Sequence, residues 1–156
     1  MTNTIEGGFQ GQGKRFAIVS SRWNSFFSEQ LLSGAIDTLV RHGVNSDDIT
    51  VVRCPGCFEL PMTASRVKRT QKVDAIICLG VLIRGSTPHF DYIAAEATKG
   101  IGQLSMDGEI PLSFGVITCD SLDQAVERSG SKVGNKGVEA AMAALEMVNL
   151  YDALSG

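Results

Sequence analysis

Ala75-Ile76-Ile77-Cys78-Leu79-Gly80-Val81-Leu82-Ile83-Arg84-Gly85-Ser86-Thr87-Pro88-His89-Phe90-Asp91-Tyr92 runs from an unbroken apolar segment into small residues and then into a helix start. Ala75 to Leu79 has the continuous apolar character of a strand buried on both faces of a parallel sheet. Gly85, Ser86 and Thr87 follow its continuation with side chains too small to screen the backbone, so a compact anion can approach closely. Thr87 suits a helix N-cap and Pro88 the first helical position, which aims free N–H groups and the positive end of a helix dipole into the turn. His89 falls within the first helical turn, where a protonated ring is disfavoured, and is a candidate proton acceptor. The competing reading of a histidine beside aromatics is a packed side chain.

Similar units lie on both sides. Phe16 to Val19 reads as a first strand whose exit loop, Ser21 to Ser25, carries Trp23, with Asn24 or Ser25 as helix cap. Phe27, Leu31, Ala35 and Leu39 then form the apolar stripe of a helix that Gly43 ends. Ile49 to Val52 is a second strand, followed by the loop Arg53 to Glu59 and a helix that Pro61 enters near its first turn. The helix after His89 runs to about Met106, Asp107 to Glu109 is a turn, and Leu112 to Thr118 is a fourth strand. Ser121 and Gln124 have capping-box spacing for a short helix carrying Arg128, and Gly130 to Gly134 breaks it. Asn135-Lys136-Gly137 opens a last helix with Val138, Ala141, Leu145 and Val148 on one face. Alternating strands and helices predict a three-layer α/β sandwich, a four-stranded parallel sheet with helices on both faces. Ligands of such sheets bind outside the carboxyl ends of the strands, where Trp23, Phe58, Glu59, Val81 to His89 and Phe114 are expected to gather.

With 156 residues, 44% of them hydrophobic, the chain fits one domain with a sizeable core. Residues 1–14, with Gly7, Gly8, Gly11 and Gly13, read as a flexible arm before a single domain over 15–156. A formal charge of −3, and no basic run longer than Arg66-Val67-Lys68-Arg69, argue against nucleic-acid binding. That run reads as a solvated helix face. The N-terminus lacks the pattern of a signal peptide and no apolar run reaches membrane-spanning length, so no membrane partner and a cytoplasmic location are expected.

Cys78 and Cys119 sit inside apolar runs, as buried thiols do. Cys54 and Cys57 form Cys-Pro-Gly-Cys between a strand and a helix, which opens a thiol–disulfide oxidoreductase reading. No second pair with ligand spacing supports a metal. Gly11 and Gly13 precede the first strand, so a dinucleotide fingerprint fails on placement, and Gly130 to Gly137 lacks P-loop spacing. There is no Gly-x-Ser-x-Gly elbow for a hydrolase.

Taken together, Arg22-Trp23-Asn24, Gly56-Cys57-Phe58-Glu59-Leu60-Pro61, Gly80 through Tyr92, Phe114-Gly115-Val116-Ile117-Thr118 and Gly134-Asn135-Lys136-Gly137 resemble the 6,7-dimethyl-8-ribityllumazine synthase family of riboflavin biosynthesis. Five blocks in order, from about Gly11 to the C-terminus, carry the resemblance. It implies condensation of 5-amino-6-(D-ribitylamino)uracil with 3,4-dihydroxy-2-butanone 4-phosphate, with release of phosphate and water and no metal or organic cofactor.

By the family's pattern Trp23 stacks on the pyrimidine, and Cys57, Phe58 and Glu59 hold the ring and the ribityl hydroxyls, with Asn24 a further ribityl contact. Val81, Leu82 and Ile83 match the ring-binding strand edge, and Gly85, Ser86 and Thr87 the phosphate turn. His89 matches the proton-transferring histidine and Arg128 the phosphate arginine, with Phe114 and Lys136 as further contacts. The resemblance places these last three on a neighbouring subunit. It implies a homo-oligomeric pentamer, and the short Gly130 to Gly134 link implies assembly into an icosahedral shell; riboflavin synthase is a candidate partner. Cys57 departs from the family's usual Ser or Ala. A binding-only carrier or shell protein is a third reading.

Overall fold

The computed structural model describes residues 1–131 and 134–155; Lys132 and Val133, inside the Gly130 to Gly134 link, and Gly156 lie outside the described residues. Strands β1 (Phe16–Ser21), β2 (Ile49–Cys54), β3 (Ala75–Ile83) and β4 (Leu112–Cys119) alternate with helices α1 (Ser25–Arg41), α2 (Leu60–Thr70) and α3 (His89–Ser105). After β4 come α4 (Leu122–Arg128), two short strands β5 (Ser129–Ser131) and β6 (Gly134–Asn135), and α5 (Lys136–Ser155). The four long strands pair in parallel in the order β2-β1-β3-β4. That is the expected four-stranded, three-layer sandwich. Each strand runs one to four residues further than its apolar core, because the exit residues of β1, β2 and β3 stay in register with their neighbours; Ser21 pairs with Cys54 and Ile83 with Cys119.

Side-chain alternation along the strands divides the interior in two. Phe16, Ile18, Ile77, Leu79 and Val81 face α1, α4 and α5, and meet Leu31, Leu39, Ala125, Ala141 and Leu145. Ala17, Val19, Ile76, Cys78 and Val116 face α2 and α3, and meet Leu60, Ala64, Ala97 and Ile101. β3, paired on both edges, carries a buried residue at every position from Ala75 to Val81, as its unbroken apolar run requires.

The helix starts show how local chemistry sets the loops. Asn135 Oδ1 accepts from the N–H groups of Gly137 and Val138, at 2.8 and 3.1 Å, and caps α5. Ser121 Oγ accepts from Gln124 N–H, but the Gln124 amide oxygen reaches back to the Asp120 N–H, one residue outside the expected box. The glycine-rich break after α4 is an antiparallel pair, β5 with β6, where sequence reading expected a plain link. Lys68 corrects the solvated-face reading of 66–69. Its stem is largely buried and its ammonium is tied to the Leu104 carbonyl and to Asp107, joining α2 to the turn after α3. Before Phe16 there is no helix or strand; Gly11 N–H donates to His42 O, and Asn149 Nδ2 donates to Gln10 O, which lays this segment along α1 and α5. No helix among the described residues is long and apolar enough to cross a membrane.

Candidate active site

The strand order reverses direction at β1, and the exits of β1, β2 and β3 open on one side of this crevice. A cavity of about 230 Å³ lies there, bounded by Trp23, Asn24, Cys57, Phe58, Glu59, Val81, Leu82 and His89 together with Ser21, Gly56 and Ile93. Eight of the residues singled out in the sequence therefore share one wall. Trp23 and Phe58 remain 60% and 47% exposed, which leaves two aromatic surfaces open to a flat ligand.

The β1 and β2 exits are held together by backbone. Arg22 N–H donates to Cys54 O at 2.8 Å, and Trp23 N–H to Pro55 O at 3.0 Å. Asn24 sits at φ 60°, ψ 46° as the N-cap of α1, but its side chain makes no cap bond; Nδ2 donates to Val81 O at 3.0 Å. Asn24 is thus a tie between β1 and β3 at the cavity rim. Past β2, a 3-10 turn over Cys57–Glu59 leads into α2 with Pro61 in its first turn, and Glu59 Oε1 accepts from Gly56 N–H at 3.0 Å.

The His89 N–H donates to Thr87 Oγ1 at 3.4 Å, but α3 begins at His89 with Pro88 as its N-cap and no side-chain cap, so the helix starts one residue later than the expected Thr87 cap with Pro88 in first helical position. Gly85, Ser86 and Thr87 are exposed and flank the cavity without lining it. Ile83 packs against the α1–α5 core and is not among the residues that line the cavity. Arg84 braces this turn: Nε donates to Asp120 at 2.8 Å, Nη1 pairs with Asp91 at 3.1 Å, and the guanidinium lies 4.5 Å from the Phe90 ring centroid.

Phe114, Arg128 and Lys136 stand elsewhere. They line a second, larger depression of about 510 Å³ along β4, the outer strand of the sheet, with Val116, Ile117, Thr118, Glu127, Gly134 and Glu139. Within one chain Arg128 and His89 line separate depressions. Sequence reading overlooked Ser21, Gly56, Ile93 and Glu139; the last was findable, because it follows Lys136 by three residues on the same helix face.

The cysteine pair carries no redox signature. Cys54 and Cys57 are both buried and free. Burial pushes the Cys57 thiol up to about 11, partly opposed by its contact with Ser21 Oγ, and burial raises Cys54 as well. A reactive thiol pair needs the opposite shift.

The model of the 6,7-dimethyl-8-ribityllumazine synthase family matches residues 13–152. The 6,7-dimethyl-8-ribityllumazine synthase of Chlorobaculum tepidum is 58% identical over 150 residues, covering 96% of this chain and 97% of the relative. That of Chlorobium limicola is 60% identical over 147 residues, 94% and 95% of the two chains. That of Chlorobaculum parvum is 57% identical over 150 residues, 96% of each. With a site wall at the strand exits and near-complete matches of this kind, the chain belongs to the 6,7-dimethyl-8-ribityllumazine synthase family.

Proposed function

We propose that the chain is a transferase of riboflavin biosynthesis that condenses 5-amino-6-(D-ribitylamino)uracil with 3,4-dihydroxy-2-butanone 4-phosphate to 6,7-dimethyl-8-ribityllumazine, at a site completed by a second copy. The separation of the Trp23–His89 cavity from the Arg128–Lys136 depression carries the second half of this reading. The first wall supplies aromatic faces, a carboxylate and a histidine; the other supplies two cations and an aromatic ring. A phosphate-bearing substrate needs both.

In this reading Trp23 and Phe58 enclose the pyrimidine, the Val81 and Leu82 strand edge and Cys57 backbone bind its rim, and Glu59 accepts ribityl hydroxyls. Ile83 belongs to the supporting strand, and Asn24 holds the rim. Gly85, Ser86 and Thr87, with Arg128 from the neighbouring subunit, take the phosphate. The pyrimidine amine attacks the ketone and water leaves as an imine forms; phosphate is then eliminated, and the ribitylamine nitrogen closes the ring onto the remaining carbonyl with loss of a second water. His89 moves protons in these steps. Holding the two reactants together supplies much of the acceleration, an effect that reaches roughly 7–11 kcal/mol in well-oriented systems.

The same proposal includes a pentamer closed by β4 against the cavity wall of the next copy, its assembly into an icosahedral shell, an arm over 1–14 on a 15–156 domain, and a cytoplasmic location with riboflavin synthase using the product. The test is to mix purified protein with both substrates and follow lumazine absorbance and phosphate together, each substrate alone as control. Equal release that depends on both substrates supports the reading. Pyrimidine binding without product leaves a carrier, and no binding overturns it.

A further inference from the structure

Gly56 lines the cavity but has no side chain to offer a ligand. Its backbone lies at φ −145°, ψ −174°, a region open to any L-residue, so conformation does not demand glycine here. Space does. A Cβ on Gly56 would stand 2.6 Å from Trp23 Cζ3 and closer still to Cε3. The six-membered ring of the indole therefore lies directly against Gly56 and occupies the space a side chain would need. The same residue's N–H donates to Glu59 Oε1, and its carbonyl accepts from Glu59 N–H at 3.2 Å. One glycine thus touches the aromatic wall on one side and the carboxylate on the other.

We propose that Gly56 is a positioning residue for the pyrimidine half of the site, setting the indole of Trp23 by direct contact and the carboxylate of Glu59 through its N–H. The proposal rests on the lumazine synthase reading for its kinetic consequence, though not for the contact itself. Alanine at 56 is compatible with the backbone, and the neighbour that has to yield is a half-exposed ring rather than main chain. The fold is kept while the ring moves outward. The N–H to Glu59 survives, so the effect isolates the Trp23 contact. A purely structural glycine would lower stability without shifting one substrate's binding relative to the other's.

Trp23 is the single tryptophan of the chain, so its emission reports this contact directly. The experiment compares wild type, Gly56→Ala, Trp23→Ala and the double variant as full-length oligomers, by tryptophan emission, acrylamide quenching and kinetics with each substrate varied in turn. For Gly56→Ala, emission and quenching should shift. KM for the pyrimidine should rise about tenfold, less than the ~10²-fold that a full 1 Å misplacement can cost, while KM for the phosphate substrate stays within about twofold. In the Trp23→Ala background the same change should alter the pyrimidine KM by less than about twofold, because the clashing partner is gone. Unchanged emission and KM in Gly56→Ala, or an equal loss in both backgrounds, would overturn the proposal. If Gly56→Ala alone does not fold, the double variant should fold, and its failure to do so would be equally fatal. A wild type that makes no lumazine defeats the functional reading, while the emission shift still decides the contact.

Discussion

The side-chain amide of Asn24 donates to the carbonyl oxygen of Val81 across 3.0 Å, bridging 57 residues of chain from the exit of β1 to the edge of β3. The bond fixes the loop that carries Trp23 against the strand edge proposed to meet the pyrimidine. Asn24→Gly keeps the left-handed backbone at low cost but removes the donor. Loss of one such bond is worth roughly 1 kcal/mol, so pyrimidine KM should rise about fivefold in Asn24→Gly. Asn24→Asp, which sets a carboxylate against the carbonyl, should be worse. Wild-type KM values in both variants would show that Asn24 does not hold the rim.

Cys57 offers a test by pH. Burial raises its folded-state pKa to about 11, above the unfolded value near 9, so between these the folded chain binds more protons than the unfolded one. Its contribution to stability is full below pH 9 and is lost as pH rises through about 11. Alkylation at neutral pH should be slow and should accelerate towards pH 11, and Cys57→Ser should flatten the alkaline loss of stability while sparing lumazine formation. Rapid alkylation at pH 7, or abolished turnover in Cys57→Ser, would return the cysteine pair to the chemistry.

Arg84 joins three elements: the turn it occupies, Asp91 in the first turn of α3, and Asp120 at the exit of β4. Its removal should loosen Gly85 to Thr87 and raise KM for the phosphate substrate, leaving the pyrimidine KM unchanged. Lysine should not restore it, since a single ammonium cannot span both carboxylates while stacking on Phe90. Equal KM values in wild type and Arg84→Ala would confine Arg84 to the surface.

His89→Ala should slow turnover without abolishing it. General acid–base help contributes typically ~10²–10⁴-fold, and the positioning of two reactants survives the change. Arg128→Ala should instead act on the phosphate substrate's KM. Undiminished turnover in His89→Ala, or an unchanged KM in Arg128→Ala, removes that residue from its role.

The fold was legible because its signals are local. Continuous apolar runs such as Ala75 to Leu79 mark buried parallel strands, and Asn135, Ser121 and Thr87 announce helix starts that the structure places within a residue. Chain order also brought Trp23, Glu59, Val81 and His89 to neighbouring strand exits. What stayed hidden depends on long-range packing. The tie from Asn24 to Val81, the burial of the Lys68 stem against α3, and the contact of Gly56 with the Trp23 ring join residues dozens of positions apart and leave no periodic trace. The β5–β6 pair was missed because three glycine or serine neighbours look alike in a loop and in a short ladder.

The most direct test of the central claim pairs two damaged chains. Trp23→Ala/His89→Ala disables the cavity wall, and Arg128→Ala/Lys136→Ala disables the depression along β4; each assembled alone should be nearly inactive. Co-assembled at equal amounts with random neighbours, they should regain about a quarter of the wild-type rate, since that share of interfaces unites two intact walls. Recovery on that order confirms a site built between copies. Co-assembly with no recovery would place both walls in the service of a single chain and contradict the account.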